Sequence, residues 1–592
     1  MKLTVSRSRN SASFYVQKTI RKVNGSITTV TIEKLGNLDE VKTKAGGKDP
    51  YVWAQEYVNE LNRREYEEQK EILVRYSPTK LLPKGEQKAF NCGYLFLQCI
   101  YSSLGLDKIC TQISRRYKFD YDLNEILSRL IYTRILYPSS KLASAELAKR
   151  FLEQPSFRIH DVYRALSVLA KESDFIQSEL YRNSQKVLER RDDILYYDCT
   201  NYYFEIEQES GSRKYGHSKQ HQPLPIIGMG LFIDHDGIPM AFDMYDGNTN
   251  EQGTLRPLEK KIIENYGLSR VIVCTDAGLS SGTNRKFNDK TLHGEEIRSF
   301  ITTQSVKQLP DYLKEFALGK DGWKLPGDEK IYCLDNLDPE EDYEKVFYKD
   351  RWIKEDLSQK ALRSGEKPLE QHLIISFSLK YQNYLRTIRG RQIERAQAII
   401  DSGRSHHRSK SQNDPSRFIS RESMTDTGEV CTKRIDYLDT DAIAEEEMYD
   451  GFYAVCTNLA EMSIEEIIHV NKNRWKIEEC FRIMKTEFKA RPVYLQDSDR
   501  IEAHFLTCFL SLFIYRILEK KLQEAYTSEQ IIRTLKEMMM SRPGEKLGYT
   551  PAYTRTDLTD ILHEAFGFRT DHEITTDINM RAIVRISKGK KK

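Results

Sequence analysis

The ten cysteines, at 92, 99, 110, 199, 274, 333, 431, 456, 480 and 508, include no CxxC pair and no zinc-like spacing. That excludes a zinc module or redox dithiol readable from sequence and predicts reduced, mostly buried thiols in a cytosolic protein. No GxxxxGK[ST] run is present to cradle a nucleotide phosphate, and the glycines of GMG and DGN read as turn chemistry. The N-terminus, MKLTVSRSRNSASFYV, lacks the apolar stretch of a signal peptide. The most apolar run, FLTCFLSLFIY from Phe505 to Tyr515, is eleven residues long, too short to span a bilayer, and predicts a buried helix. An excess of one charge is lacking too. With 91 basic and 88 acidic side chains the net charge is +3, so a polyanion-binding surface has to come from local clustering. His406 and His407 are adjacent in a polar loop and lack metal-ligand spacing.

What is present is length and pattern. A chain of 592 residues, 39% hydrophobic and 30% charged, describes a globular protein of roughly three to five domains at about 150 residues each. Residues 1–36 predict a β-hairpin unit, with Ser13 to Val23 and Ser26 to Glu33 flanking Asn24-Gly25. Residues 49–191 read as helical, Pro138 ending one helix, with Arg115, Arg116, Lys141 and Arg164 either on a solvated surface or against DNA.

At Ile194 the period changes. ILYYD predicts a buried strand reaching Asp198 and continuing through Glu205, and Pro225 to Asn248 predicts two strands joined at Asp236-Gly237. A helix follows from Gln252 to Tyr266, then a strand ending in Asp276, then a last strand at 297–304. His217, Lys219 and His221, just before the second strand, either face DNA or line a loop. The order predicts an α/β fold, an RNase H-like mixed sheet flanked by helices, with mainly helical N- and C-terminal regions. Such a sheet sets Asp198 and Asp276 side by side although 78 positions separate them.

From Asn471 to Tyr494 a helix is predicted on which Arg474, Glu478, Arg482 and Lys485 are spaced four, four and three apart, so one carboxylate shares a face with three cations. Trp475, Ile477, Cys480, Phe481, Met484 and Phe488 form an apolar stripe beside it. Surface ion pairing, at about 0.2–0.5 kcal/mol per pair, accounts for such a face. So does a third carboxylate for a metal shared with Asp198 and Asp276, and Glu479 is the rival of Glu478 for that place. Oxygen ligands suit Mg2+, with Mn2+ as a substitute, and argue against zinc. The 202 positions between Asp276 and Glu478 predict an insertion at 305–450, whose middle holds Lys380, Arg386, Arg389, Arg391 and Arg395 with two tyrosines interleaved.

YYDCTNYYFE around Asp198, VCTDAGLSSGTN around Asp276 and NRWKIEECFRIMK around Glu478 resemble the three acidic motifs of bacterial insertion-sequence DDE transposases. The last is similar to the Tyr-Arg-Glu-Lys signature of the insertion-sequence family numbered four and its relatives: Arg474, Glu478 and Lys485 match, and Asn471 stands at the tyrosine position. The resemblance implies an enzyme that cleaves double-stranded DNA at the terminal inverted repeats of its own element and transfers the strand to target DNA. It implies two Mg2+ ions on Asp198, Asp276 and Glu478. DNA contacts would come from Arg474, Lys485, Arg482, Asn471 and Trp475, the last stacking a base or packing in the core, and from Lys380, Arg386, Arg389 and Arg391 in the insertion. It further implies a homodimer in a synaptic complex, a DNA-end-binding domain at 49–191, a catalytic core divided between 192–304 and 451–495, and a helical region at 496–592 ending in the basic tail Lys588 to Lys592. The alternatives are a noncatalytic DNA-binding derivative of a transposase and an RNase H-like nuclease that cuts without joining.

Overall fold

The computed structural model describes residues 1–8, 11–21, 27–68, 77–79, 81–292, 295–355, 357, 363, 365–403, 413–424, 430–544 and 547–590. The Asn24-Gly25 turn, His406, His407 and the last two lysines lie outside the described residues. The chain divides into two units, Met1–Glu86 with Pro543–Gly548, and Gln87–Arg542 with Tyr549–Lys592.

In the first unit, strands β1 (Lys2–Ser8), β2 (Ser11–Arg21) and β3 (Ile27–Asn37) form an antiparallel sheet in that order, followed by helices α1 (Leu38–Ala45) and α2 (Pro50–Glu68). Alternate residues Ala12, Phe14 and Val16 of β2 pack with Leu35, Val41, Ala54 and Val58, a two-residue period meeting helical faces. Asn37 caps α1 by accepting from the Asp39 and Glu40 N–H groups while Glu40 accepts from the Asn37 N–H. The predicted hairpin is therefore two strands of three. No residue of β1 is fully buried, so its sequence carries little of the alternation that marks a strand.

The second unit is built on one large mixed sheet. Its strands are β4 (Ile194–Tyr203), β5 (Ile226–Asp234), β6 (Pro239–Asp246), β7 (Val271–Thr275), β8 (Glu295–Gln304), β9 (Phe347–Lys354), β10 (Glu370–Phe377) and β11 (Phe452–Thr457), in the spatial order β9-β10-β11-β8-β7-β4-β5-β6, with Lys290–Leu292 added beside β8. β4, β7 and β8 run parallel to one another, while β5 is antiparallel to β4, β6 to β5, and β11 to β8. The first and fourth strands of the predicted order are thus neighbours. Two strands of the predicted insertion, β9 and β10, extend this same sheet through β11.

Seven helices of this unit position the site: α3 (Tyr94–Ser103), α4 (Leu123–Leu136), α5 (Ile159–Lys171), α6 (Leu255–Tyr266), α7 (Leu379–Asp401), α8 (Ile464–Lys472) and α9 (Trp475–Thr486). An eighth, α10 (Ser498–Lys521), packs against α3, α4, α5 and β6. It runs well past the predicted eleven residues and is long and apolar enough to cross a membrane by length and composition, but nearly all of it is buried within the protein. A helix apolar all round is stable in water only when enclosed, and the helices from Tyr94 onward enclose it. They share one core with the sheet.

Candidate active site

β4 sends alternate side chains to two cores. Tyr196 and Tyr202 join the core that includes Val470, Ile477, Cys480 and Met484, while Leu195, Tyr197 and Cys199 join the one closed by α6. Asp198 is the polar interruption on the first of these faces. Tyr196 lies opposite Cys274 in the parallel ladder. Asp198 and Asp276, each two residues further along, therefore stand level on strands about 4.8 Å apart.

Each aspartate has one oxygen fixed by the backbone. Asp198 Oδ1 accepts from the Cys199 N–H at 2.7 Å, and Asp276 Oδ1 accepts from the Leu279 N–H at 2.9 Å, capping the turn after β7. The other oxygen of each receives no hydrogen bond from the described residues. Burial lifts the Asp198 carboxyl to about 6, with the neighbouring charge of Asp276 adding to the rise and Lys219, the Cys199 N–H and Arg474 opposing it.

Three cations surround this pair. Lys485 reaches from α9 to donate to Thr200 Oγ1, two residues past Asp198 on the same face. Burial, then Arg491 and Lys219, push its ammonium down to about 8, against the pull of Asp198 and Glu251. Lys219 donates to the Cys199 carbonyl and lies 3.4 Å from Glu251. Its loop is pinned by Asn201, which donates to the His217 carbonyl at 3.0 Å and accepts from the Lys219 N–H at 3.2 Å. Arg474 Nη1 donates to Thr303 Oγ1 at 2.8 Å, and its Nη2 is 3.9 Å from Glu478 Oε1.

The predicted continuous helix is two helices. α8 ends at Lys472, Asn473 and Arg474 turn the chain, and α9 begins at Trp475. Asn471, in the last turn of α8, is a buried residue whose Nδ2 donates to the Tyr453 hydroxyl at 2.9 Å and whose Oδ1 accepts from Thr303 Oγ1 at 3.3 Å. Arg474 keeps helical backbone angles, φ −56 and ψ −24, so its spacing to Glu478 survives the turn. Asn471 is thus enclosed, with its amide committed to its neighbours. The apolar stripe of α9 is buried as predicted at Ile477, Cys480, Phe481 and Met484, but Trp475 is 53% exposed, outside the core. It lines a cleft of about 530 Å³ with Tyr381, Tyr453, Lys472, Arg474 and Glu478.

The Glu478 side chain is 65% exposed, outside the aspartate pair, and its ion pair is the long contact to Arg474. Glu479 is engaged differently: Oε2 lies 3.0 Å from the buried Arg516 and Oε1 3.5 Å from Arg482, tying α9 to α10. Arg482 also approaches Glu487 at 3.7 Å. In the insertion, Arg389 is 6% exposed and grips Asp450 with both Nη atoms at 2.7 and 2.6 Å, with Glu447 at 3.2 Å. The expectation that Arg389 faces DNA is corrected by this packing, which leaves its guanidinium to carboxylates. Lys380 pairs with Glu344 at 2.7 Å, Arg386 lies 3.9 Å from Asp450, and Arg391 is exposed.

The uncommitted oxygens of Asp198 and Asp276 suit a hard divalent cation. Among the described residues, the one group of three ligand-type side chains drawn within 4.8 Å is elsewhere: Asp560, His563 and Asp571. There Arg569 and Arg555 already pair with both aspartates, so the cluster is an ion-pair network with its charge met. Sequence reasoning left Lys219 undecided and passed over Tyr453 and Thr303. Only Lys219 carried a signal, a lone cation in a polar loop before β5.

The family model described as "Transposase DDE domain" matches residues 190–514. Among curated proteins none matches the sequence. A solved structure, the piggyBac transposase synaptic complex with hairpin DNA, is similar over 84% of this chain and 84% of its own, at 9% identity and a TM-score of 0.34.

Proposed function

Because the chain belongs to the transposase DDE domain family, whose model covers more than half of it, we propose that it cleaves DNA at the ends of a mobile element and joins those ends to target DNA. The observation that carries this reading is the level placement of Asp198 and Asp276 on adjacent parallel strands, each with an uncommitted oxygen and with Lys219, Lys485 and Arg474 around them. The partial order β6-β5-β4-β7-β8, with β5 alone antiparallel among these five, supports an RNase H-like core.

Members of this family use divalent metal ions. Asp198, Asp276 and Glu478 are the side chains that would hold them here, as two Mg2+ ions with Mn2+ as a substitute. Bound metal supplies activation of water and neutralises charge on the scissile phosphate. The protein's own part is positional. Lys485 and Arg474 hold strand phosphates beside Asp198, Lys219 closes the far side, and Trp475 offers an exposed ring in the cleft next to Glu478. Water displaces one 3′-oxygen from phosphorus, breaking one ester to leave a 5′-phosphate and a 3′-hydroxyl, and that hydroxyl displaces a 3′-oxygen in the target, where one ester forms as one breaks. The matches at Arg474, Glu478 and Lys485 support the Tyr-Arg-Glu-Lys type. Asn471, which stands at the signature's tyrosine position, donates its amide to the Tyr453 hydroxyl. Terminal inverted repeats as substrate, a homodimer in the synaptic complex and a cytosolic site of action complete the proposal.

The test is nicking and joining of a plasmid carrying the gene with its native flanking DNA, in Mg2+, by wild type and Glu478→Gln. Discrete cuts and joined products in wild type, reduced at least about 10²-fold in the variant, are expected. Cutting without joined products would make it a nuclease. Sequence-specific binding without cutting, the same in both proteins, would retire the chemistry.

A further inference from the structure

A cavity of about 260 Å³ opens beside the segment that follows α9, lined by Arg134, Lys141, Lys489 and Arg491 together with Tyr163 and His504, and no aspartate or glutamate lines it. Lys141 is only 4% exposed and has no hydrogen bond or ion pair to any described residue. Arg134, 3% exposed, spends Nη1 on the Phe488 carbonyl at 3.0 Å and Nη2 on the Ser139 carbonyl at 3.1 Å, which fixes its guanidinium and leaves Nε without a partner. Arg491 Nη1 is likewise buried and unpartnered. His504 does not compensate, since burial, Arg134 and Lys141 hold its imidazole well below the usual range while Nε2 meets the Ala490 carbonyl at 3.1 Å.

Buried cations are ordinarily paired, and here the Lys141 ammonium lines a cavity shared with Arg134, Lys489 and Arg491 and has no carboxylate to receive it. Burial and the charge of Arg134 have pushed Lys141 down to about 7. The space is several times the roughly 30 Å³ share of one water molecule. It admits a tetrahedral oxyanion with part of whatever carries it, and Lys489 and Tyr494 stand exposed at the segment beside it.

We propose that this cavity is a phosphate-binding site, in which Lys141 Nζ donates to one phosphate group and the charges of Arg134, Lys489 and Arg491 on the cavity wall surround it. The chemistry is common to an internal phosphodiester of a DNA strand, a terminal 5′-phosphate and free phosphate. Planar guanidinium donors and a point-charge ammonium are the pairing that suits such an oxyanion. The site stands apart from the strand chemistry proposed above, because its binding is read without Mg2+ and without cleavage.

The full chain is titrated with inorganic phosphate at constant ionic strength, chloride serving as control, and its melting midpoint and calorimetric binding heat are followed. Wild type is expected to show a saturable upward shift. Lys141→Met keeps the aliphatic stem and removes the unpaired charge, so it is expected to fold with an unchanged or higher midpoint and to lose the phosphate shift; Arg491→Gln is expected to weaken it. A phosphate shift no larger than that of chloride, or one retained in full by Lys141→Met, overturns the proposal. Duplex binding then separates the sources. A salt slope lower by about 0.9 in Lys141→Met identifies an internal phosphodiester. A preference for 5′-phosphorylated over 5′-hydroxyl duplex, lost in the variant, identifies a terminal phosphate. Loss of the inorganic phosphate response with both DNA readouts unchanged identifies free phosphate.

Discussion

α7 and α9 both carry dense basic sequence, and the best-buried cations of each meet different partners. On α7, Lys380 answers Glu344, Arg389 answers Asp450 and Glu447, and Arg386 leans toward Asp450. Around α9, Lys485 rests on the Thr200 hydroxyl and Arg474 on the Thr303 hydroxyl, while Lys219 divides itself between a carbonyl and Glu251. A cation held by a carboxylate has its field cancelled and serves the fold. One held by neutral oxygens keeps its field, at a cost in burial, and that field is available to an anion that arrives. Counting lysines and arginines puts both helices in one class; their partners put them in two.

The largest effect should come from breaking the neutralised side. Arg389→Met leaves Asp450 buried without its partner and is expected to cost about 3–5 kcal/mol in denaturant unfolding. DNA binding by the fraction that remains folded should keep the wild-type salt slope. A lowered slope would return Arg389 to the DNA surface and erase the contrast.

On the α9 side the expectation reverses. Lys485→Met removes a charge that the fold tolerates poorly, so stability should hold or rise while DNA affinity falls and the salt slope drops by about 0.9. The pH dependence sharpens this. The folded ammonium is depressed from 10.5 to about 8, so the lysine's contribution is fully present above about 10.5 and is lost as pH falls through the folded value. Wild-type stability should therefore decline between pH 10.5 and 8 by a component that Lys485→Met lacks. Parallel pH curves for the two proteins would mean that Lys485 is solvated and ordinary.

Asp198 and Asp276 were legible because each interrupts or ends a buried apolar strand, and parallel register then places them together. The apolar stripe of α9 was legible for the same reason, as a local periodicity. What escaped was set by residues far apart in the chain. Glu478 and Glu479 are adjacent and chemically alike, and they are told apart by Arg516, on α10. Asn471, one residue before the end of α8, meets Thr303, from β8, and Tyr453, from β11. Arg389 is silenced by Asp450, and the phosphate cavity joins Lys141 to Arg491. Within the region predicted as helical at 49–191, α3, α4 and α5 pack on α10, an element hundreds of residues downstream.

The smallest effect tests whether a neutral-oxygen partner positions a cation or merely neighbours it. Tyr453→Phe removes the hydroxyl that receives the Asn471 amide and meets Thr303 Oγ1 at 2.8 Å, and is expected to cost about 1–3 kcal/mol, the net worth of two hydrogen bonds. Thr303 still accepts from Arg474 in that variant, so the salt slope should stay at the wild-type value while stability falls. Thr303→Val is the contrasting change, because it takes the acceptor from Arg474 directly and frees the guanidinium to swing toward Glu478. If the two variants lower the slope equally, the phenol contacts DNA itself. If only Thr303→Val does, the network acts by aiming Arg474, whose Nη2 lies 3.9 Å from the exposed carboxylate of Glu478.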